Sequence, residues 1–167
     1  MSQDSLWIKR NWVAHTQLML DSYERYLKKE LIPREGSQLD QAKTLFLSPF
    51  VVVSHDYRPD PVLNYGNQVA LDLWEMDVAT LCNTPSRMTA EPMHRDERKR
   101  LLKRTTENGY VDDYSGIRIS QNGRRFLIRQ AVVWNLIDFK NNYRGQAATF
   151  SEWEWLDENE STPKPSD

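Results

Sequence analysis

The sequence predicts an α+β fold: a five-stranded antiparallel sheet with helices on one face and an N-terminal amphipathic helix on the other. Residues 109–150 contain Asn122-Gly123 between two runs of strand-forming residues. Asn-Gly is the strongest short hairpin signal because both residues tolerate a positive φ. Residues 124–138, which follow this turn, alternate between two mainly apolar faces, so other elements must cover both faces of the sheet.

Composition limits the class of protein. With 167 residues, the chain is long enough for one domain with a terminal extension. The net charge of −2 provides no basic field, so no nucleic-acid partner is predicted. A single cysteine excludes a disulfide framework and a multi-cysteine metal site. No apolar run reaches the ~18 residues of a membrane span and no signal peptide is recognised, which predicts a cytoplasmic protein without a membrane partner.

An amphipathic helix is predicted near the N-terminus. Asp4 or Ser5 is a suitable N-cap, and Pro33 would stop the helix after about Leu31. Its apolar stripe has helical spacing and contains Trp12, Thr16, Met19, Leu20, Tyr23, Tyr26, Leu27 and Leu31. The helix either packs on the chain's own sheet or takes part in a homodimer interface, where aromatic residues and Met are enriched.

Turn and capping signals predict the remaining elements. In order, these are a helix over 39–47, strands over 49–54 and 62–65, a helix to about residue 76 capped by Asn67, a short turn capped by Asp77, an irregular stretch over 84–92 and a helix over 93–107. A meander of three strands follows, and residues 151–156 are expected to prolong its last strand. Placing the first strand beside the last gives the spatial order 2-1-5-4-3.

This order divides the chain into three parts. Residues 1–36 are an N-terminal helical extension, and residues 37–156 form the domain. Residues 157–167 are polar, acidic and contain proline, which predicts a disordered tail.

The helix over 93–107 is strongly basic. Leu101 and Leu102 are expected to face inward. The rest of its surface carries Arg95, Arg98, Lys99, Arg100, Lys103 and Arg104. Such a run is usually a solvated helix face, and a basic patch for a partner or a phosphate is the alternative.

Five segments within residues 62–156 carry a family resemblance, namely LNYGNQVALDLWEM (63–76), PSRMTAEPMHRDER (85–98), GYVDDYSGIRIS (109–120), RRFLIRQAVVWNLID (124–138) and GQAATFSEW (145–153). The resemblance is to the MEKHLA domain, a family related to PAS domains. It implies a PAS-like sensory or protein-interaction role, and it fixes no catalytic residue and no ligand. The chain contains no homeodomain and no zipper heptads, so it resembles the stand-alone members of the family.

A candidate ligand site follows from aligning the hairpin on Gly123. The alignment directs a set of side chains toward the helices, namely Tyr114, Arg118, Phe126, Gln130, Trp134 and Thr149. Arg118 and Gln130 would bind a carboxylate or carbonyl of a small molecule between apolar walls. In the alternative, Arg118 pairs with Asp112 or Asp113 and aromatic side chains fill the space. The opposite face of the same strand would then seat the N-terminal helix through Leu127, Ala131 and Val133.

No cofactor is assigned from the sequence. Cys82 lies about three residues before the position of the photoactive cysteine in flavin-binding PAS domains. The positions that hold flavin in those domains correspond to Arg118, Ile128 and Ala147, which disfavours flavin. His94 is the only candidate haem ligand, and haem is also disfavoured because charged residues follow His94 in an exposed first turn. The remaining histidines lack partners at metal-ligand spacing, so no metal site is predicted.

These observations predict a sensory or interaction module without catalysis. A small molecule would bind between sheet and helices, and the signal would pass through a homodimer formed by the N-terminal helix or through a protein partner. The first alternative is an interaction domain with no ligand. The second is a small enzyme that uses Asp112, although none of the common catalytic motifs is present.

Overall fold

One antiparallel sheet and the helices on its two faces account for most of residues 11–156, which are the residues that the computed structural model describes. Its elements are α1 (Trp12–Leu27), α2 (Gln38–Phe46), β1 (Val51–His55), β2 (Leu63–Gly66), α3 (Gln68–Trp74), α4 (Val78–Leu81), α5 (Arg95–Asn108), β3 (Tyr110–Ile119), β4 (Arg125–Ile137), β5 (Tyr143–Phe150) and β6 (Glu152–Trp155). Two short 3₁₀ helices, Ser86–Thr89 and Pro92–His94, precede α5.

The predicted strand order is confirmed. The sheet runs β2-β1-β5-β4-β3, and β6 also pairs with β4. Val132 pairs with Thr149 of β5, and Arg129 pairs with Glu152 of β6. Both members of this second pair lie three residues from the first, so β6 continues the register of β5 along β4. The prediction that residues 151–156 prolong the last strand is therefore confirmed.

The capping predictions for the central helices are also confirmed. The Asn67 side chain accepts from the backbone N–H of Ala70, and it also accepts from the backbone N–H of Val52 in β1. Asp77 accepts from the N–H of Thr80 and begins α4 in the same way. Each cap satisfies a helix N–H that has no partner within the helix, so the helix starts where the cap stands.

The end of the N-terminal helix differs from the prediction. Helix α1 stops at Leu27, before the predicted Leu31, because Lys28 adopts a left-handed conformation with φ 61°. Its N–H bonds back to the carbonyl of Glu24 and closes the last turn. The predicted start at Asp4 or Ser5 lies outside the described residues, as does the predicted tail over 157–167. The division of the chain at residue 36 stays a prediction.

Helix α1 packs on one face of the sheet through its apolar stripe. The Trp12 ring lies 4.6 Å from that of Tyr65, and the Tyr23 ring meets Trp134 edge-on at 5.0 Å. Ser22 is buried and exchanges two hydrogen bonds with the backbone of Ile137 in β4. The prediction that the helix covers its own sheet is therefore confirmed. Helices α3, α4 and α5 cover the other face.

The predicted faces of the middle strand β4 are wrong beyond its midpoint. Gln130 has a left-handed φ of 53° and is exposed, and the pairing of β4 with β3 is irregular beside it. This irregularity shifts the alternation by one residue. Ala131 and Val133 consequently face the α3–α5 side, while Trp134 faces α1 and donates its indole N–H to the Met19 carbonyl at 3.2 Å.

Within residues 11–156, none of the helices combines the length and the apolar character that a membrane span needs.

Candidate functional site

A cavity of about 80 Å³ lies between the sheet and helices α3–α5. Its apolar walls include Val53, Leu63, Leu101, Ile128, Val133 and Phe150. Its polar wall includes His55, Ser86, Arg98, Tyr114, Arg118 and Gln146. Small-molecule sites have this mixture of apolar walls and a few converging polar groups.

Arg98 reaches the cavity from helix α5. It lies three residues before Leu101 and seven before Thr105, and all three belong to the buried stripe of the helix. Only 5% of Arg98 is exposed, so its assignment to a solvated basic face is wrong. One of its terminal nitrogens donates to Ser86 Oγ at 2.5 Å. Burial, and then the positive charge of Arg118, lower the pKa of Arg98 to about 10.

Arg118 reaches the same cavity from strand β3. It is 7% exposed and donates to the adjacent carbonyl of Ile117 at 2.9 Å. Its guanidinium carbon lies 5.4 Å from the centre of the Tyr114 ring. Among the described residues neither Arg98 nor Arg118 forms an ion pair with a carboxylate. The alternative pairing of Arg118 with Asp112 or Asp113 is wrong, because both aspartates are exposed and neither lies on the cavity wall.

A chain of hydrogen bonds connects Arg98 to the sheet. His55 Nδ1 lies 2.9 Å from Ser86 Oγ, and His55 Nε2 lies 3.3 Å from Gln146 Oε1. The Gln146 amide nitrogen donates to Asn135 Oδ1 at 3.0 Å, so the Gln146 oxygen faces His55 and accepts from its Nε2–H. Nδ1 is then the acceptor for the Ser86 hydroxyl. Burial, and then the charge of Arg98, lower the pKa of His55 to about 4, which keeps the ring neutral at neutral pH.

Two further polar atoms on these walls lack partners. The indole nitrogen of Trp74 and the hydroxyl of Tyr114 are buried, and neither has a hydrogen-bond partner of good geometry in the described part of the chain, although the Tyr114 hydroxyl lies close enough to Arg118 and Glu97 for both to affect its pKa. Burial raises the pKa of Tyr114, so its hydroxyl remains protonated. Buried donors without acceptors are costly. The cavity therefore has more positive charge and more donors than residues 11–156 satisfy.

The structure brings together only two of the six residues predicted for the site. Tyr114 and Arg118 lie on the cavity wall. Phe126 faces the same side of the sheet but stacks edge-on against Trp74 at 5.2 Å, outside the wall. Gln130 is exposed and Trp134 lies under α1, both because of the irregularity at Gln130. Thr149 donates its hydroxyl to the Val51 carbonyl and also lies off the wall.

Sequence reasoning missed Arg98, His55, Gln146 and Ser86, which form the hydrogen-bonded part of the wall. Arg98 had a usable signal, since its spacing from Leu101 places it on the inner stripe of α5. His55 and Gln146 are cross-strand partners in β1 and β5, and this register cannot be read from sequence alone. Ser86 lies in a 3₁₀ helix within a stretch predicted to be irregular.

The cavity does not fit a flavin or a haem. Arg118, Ile128 and Ala147 do line it, so the positions compared with those of flavin-binding PAS domains face the cavity. However, about 80 Å³ is far below the ~300–1,000 Å³ of cofactor-sized sites. Cys82 is half-buried after α4 and lies off the wall, as does His94, whose Nε2 is buried. The described part of the chain contains no group of three or more residues suited to hold a metal ion.

Comparison with known families and sequences gives a consistent result. The model of the MEKHLA domain family matches residues 13–155. The homeobox-leucine zipper protein REVOLUTA of Arabidopsis thaliana is 25% identical over 154 residues, covering 86% of this chain and 18% of that protein. Homeobox-leucine zipper protein HOX9 of Oryza sativa subsp. indica is 24% identical over 137 residues, covering 81% and 16%. The chain thus spans about a sixth of the length of these relatives.

Solved structures resemble the fold at low sequence identity. The PAS domain of a protein from Colwellia psychrerythraea superposes with a TM-score of 0.57 at 13% identity, covering 70% of this chain and 94% of that one. A light-oxygen-voltage domain studied with a flavin analogue gives 0.53 at 18% identity, covering 72% and 87%. The light-state dimer of the fungal blue-light photoreceptor Vivid gives 0.52 at 14% identity, covering 74% and 83%. These similarities show a PAS-type fold.

Proposed function

Since the chain belongs to the MEKHLA domain family and has a PAS-type fold, we propose that it is a sensory and interaction module. In this proposal a small molecule binds in the cavity between the sheet and helices α3–α5. The observation that carries the proposal is the pair of buried arginines, Arg98 and Arg118, which face this cavity without a carboxylate partner within residues 11–156. No catalytic residue is proposed, because Asp112, the candidate for an enzyme, is exposed and lies off the wall.

Energetics support a bound ligand. Taking a charged group out of water costs on the order of several kcal/mol, and proteins normally recover this cost with a nearby opposite charge. Arg98 and Arg118 instead repel each other, as the effect of Arg118 on the pKa of Arg98 indicates. A ligand that supplies acceptors would stabilise both. The unpaired groups are thus better explained as a binding site than as a structural element.

Strand β4 offers a route from the cavity to helix α1. Val133 lies on the cavity wall, and the next residue, Trp134, contacts Met19 and Tyr23 of α1 on the opposite face. A ligand that moves Val133 also moves the seat of the helix. We propose that this alters homodimer formation through α1 or binding of a protein partner. The Vivid structure is a light-state dimer, which provides a precedent for dimerisation by a domain of this fold.

One observation favours a second candidate, an interaction domain without a ligand. The cavity of about 80 Å³ is small for a regulatory site. In that case the arginines would be solvated by trapped water, and neither family nor fold would change. The two candidates differ in whether a molecule is retained on purification.

Native mass spectrometry tests the binding step. The chain is compared with Ala131→Leu, which places a larger side chain on the cavity wall, and with Lys99→Leu, an exposed control. The proposal expects a small bound mass, or stabilisation by members of a metabolite panel, for the parent chain and the Lys99 variant only. Identical behaviour of all three proteins would favour the ligand-free domain.

Light scattering coupled to size exclusion tests the signalling step. Ala14 is on the exposed side of α1, so Ala14→Glu adds a charge there without loss of core packing. If α1 forms a dimer, this variant is monomeric at concentrations where the parent is dimeric, whereas the Lys99→Leu control remains dimeric. A parent chain that is monomeric with and without ligand would remove dimerisation from the proposal.

A further inference from the structure

The cavity carries a net positive charge. Arg98 and Arg118 are cationic, while the low pKa of His55 and the raised pKa of Tyr114 keep both of these groups neutral. The acids that influence the site electrostatically are Asp56, Asp60 and Glu97. Asp56 pairs with Arg58 at 2.7 Å and not with the cavity arginines. Asp60 is exposed and pairs with Arg87 at 3.3 Å, and neither Asp60 nor Glu97 bonds to the cavity arginines in the described chain. A ligand of negative charge would therefore offset the electrostatic repulsion that the protein leaves in place.

The unpaired atoms of the cavity are mainly donors. Each guanidinium carries five N–H groups, yet Arg98 and Arg118 each make one hydrogen bond with the described residues. Trp74 contributes an unpaired indole nitrogen to the same walls. Planar oxyanions match the planar fork of arginine and accept two parallel hydrogen bonds from it. A carboxylate is the most common biological group with this geometry.

Size and apolar surface restrict the rest of the molecule. The cavity of about 80 Å³ is roughly half of the ~150 Å³ cavity that holds benzene, which limits a ligand to roughly three to five non-hydrogen atoms. Leu101, Ile128 and Val133 line it beside the arginines. A methyl or ethyl group fills such a surface better than a fully polar anion does, because its burial is favourable.

We infer that the cavity binds a short monocarboxylate, with its carboxylate at Arg98 and Arg118 and its alkyl end against the apolar wall. This inference rests on the proposed function, because it names the class of molecule that the sensory cavity takes. Bicarbonate and nitrate share the planar oxyanion chemistry without the alkyl group. Comparing their binding with that of a short carboxylate therefore distinguishes an organic ligand from an inorganic anion.

The test is a titration of the full chain at constant ionic strength, followed by thermal shift and by chemical shifts of the backbone amides. The probes are sodium propionate, sodium acetate, sodium nitrate, sodium bicarbonate and neutral propionamide, with chloride as the balancing anion. We expect saturable binding that is tightest for propionate, at least tenfold weaker for nitrate and bicarbonate, and absent for propionamide.

Variants locate the binding. Arg98→Gln and Arg118→Gln should each weaken propionate binding at least tenfold, and Arg118→Lys, which keeps the charge but loses the fork, should be intermediate. Arg100→Gln, on the exposed side of the same helix as Arg98, is the matched control and should bind like the parent. If Arg98→Gln does not fold, the pair of Arg118 variants still decides the role of the fork.

The outcomes separate the two levels of the proposal. Equal binding of propionate and propionamide, abolished by Ala131→Leu, would overturn the carboxylate and leave the sensory cavity standing. Tighter binding of nitrate or bicarbonate than of propionate would replace the organic ligand with an inorganic one. No binding of any probe, together with no bound mass in the purified chain, would overturn both the inference and the proposed function.

Discussion

Both faces of the sheet bury tryptophan side chains, but their polar groups differ. Under α1, the indole nitrogens of Trp12 and Trp134 donate to the carbonyls of Asn64 and Met19. Under helices α3–α5, the indole nitrogen of Trp74 has no partner among the described residues, and two arginines lie buried without carboxylates. The hydroxyls of Thr16 and Tyr65 under α1 also lack a partner among the described residues, but both groups are neutral. The faces therefore differ in charge, because the α3–α5 face buries two arginines and has capacity left for an anionic ligand.

This contrast has a physical meaning for regulation. A packed surface without buried charge gains little from an added anion, and its stability reflects packing. A surface that buries arginines is stabilised when an anion supplies acceptors for them. Strand β4 belongs to both surfaces, because alternate residues face opposite sides. Substitutions that change one face and leave the other intact therefore test whether the two faces have different roles.

The largest effect is expected at the α1 face. Trp134 is fully buried, contacts Tyr23 and donates to Met19, so Trp134→Ala removes a large aromatic ring and a hydrogen bond. We expect a loss of about 3–5 kcal/mol in the free energy of unfolding, measured by urea denaturation. Trp134→Phe should lose less because it keeps most of the packing. A loss below about 1 kcal/mol for the alanine variant would show that α1 is not held by this contact.

Acid should affect both faces through their histidines. Burial lowers the pKa of His15, under α1, to about 4, and the pKa of His55 in the cavity is lowered to the same value. The unfolded chain binds these protons near pH 6.5 and the folded chain does not, so stability is complete above pH 6.5 and falls toward pH 4. Each histidine should contribute at most about 1.4 kcal/mol per pH unit in this range.

Urea denaturation between pH 7 and pH 5 measures this loss, since few carboxylates titrate there. His15→Gln and His55→Gln should each reduce the slope. Propionate distinguishes the two histidines, because an anion beside Arg98 counters the charge that lowers the pKa of His55. Adding propionate should reduce the pH dependence of stability that His55 contributes and leave that of His15 unchanged. An equal effect of propionate on both contributions would contradict different roles for the two faces.

A smaller effect of opposite sign is expected at the cavity. Arg98→Met removes a buried charge that has no ion-pair partner in the described part of the chain and repels Arg118, while it keeps similar volume. We expect the ligand-free chain to become more stable by about 1–4 kcal/mol, as when buried charges are replaced by apolar side chains. Lys99→Met, one residue along and exposed, is the matched control and should remain within about 0.5 kcal/mol. Destabilisation by Arg98→Met would indicate that its bond to Ser86 is a structural requirement.

Local signals predicted the fold well. Asn122-Gly123 marked the hairpin, and Asn67 and Asp77 marked two helix starts, because each acts on backbone groups within a few residues. The strand order followed from the sequence of elements and from the need to cover two apolar faces. The family resemblance, which is confirmed over residues 13–155, pointed to the same architecture.

The site was less predictable because it depends on relations between distant segments. Alternation along β4 is a sound rule for an even strand, yet Gln130 breaks the period and no glycine marks the break. Arg98 is one of six basic residues in α5, and only its helical spacing from Leu101 distinguishes it from the solvated ones. The pair of His55 and Gln146 forms across a register that joins residues 91 positions apart. Such contacts are set by tertiary packing.

The smallest effect is expected at Gln130, where the alternation of side chains along β4 shifts by one residue. A non-glycine residue in the left-handed region costs about 1–2 kcal/mol, and Gln130 is exposed, so substitution changes backbone energy and little packing. Gln130→Gly should leave stability equal or raise it by up to about 1 kcal/mol, while Gln130→Val should lower it, because β-branched residues resist a positive φ. Urea denaturation measures both. If Gln130→Val does not lower stability, the backbone at residue 130 can adopt a regular strand conformation. The packing of Val133 against the cavity and of Trp134 against α1 must then determine which face each side chain occupies.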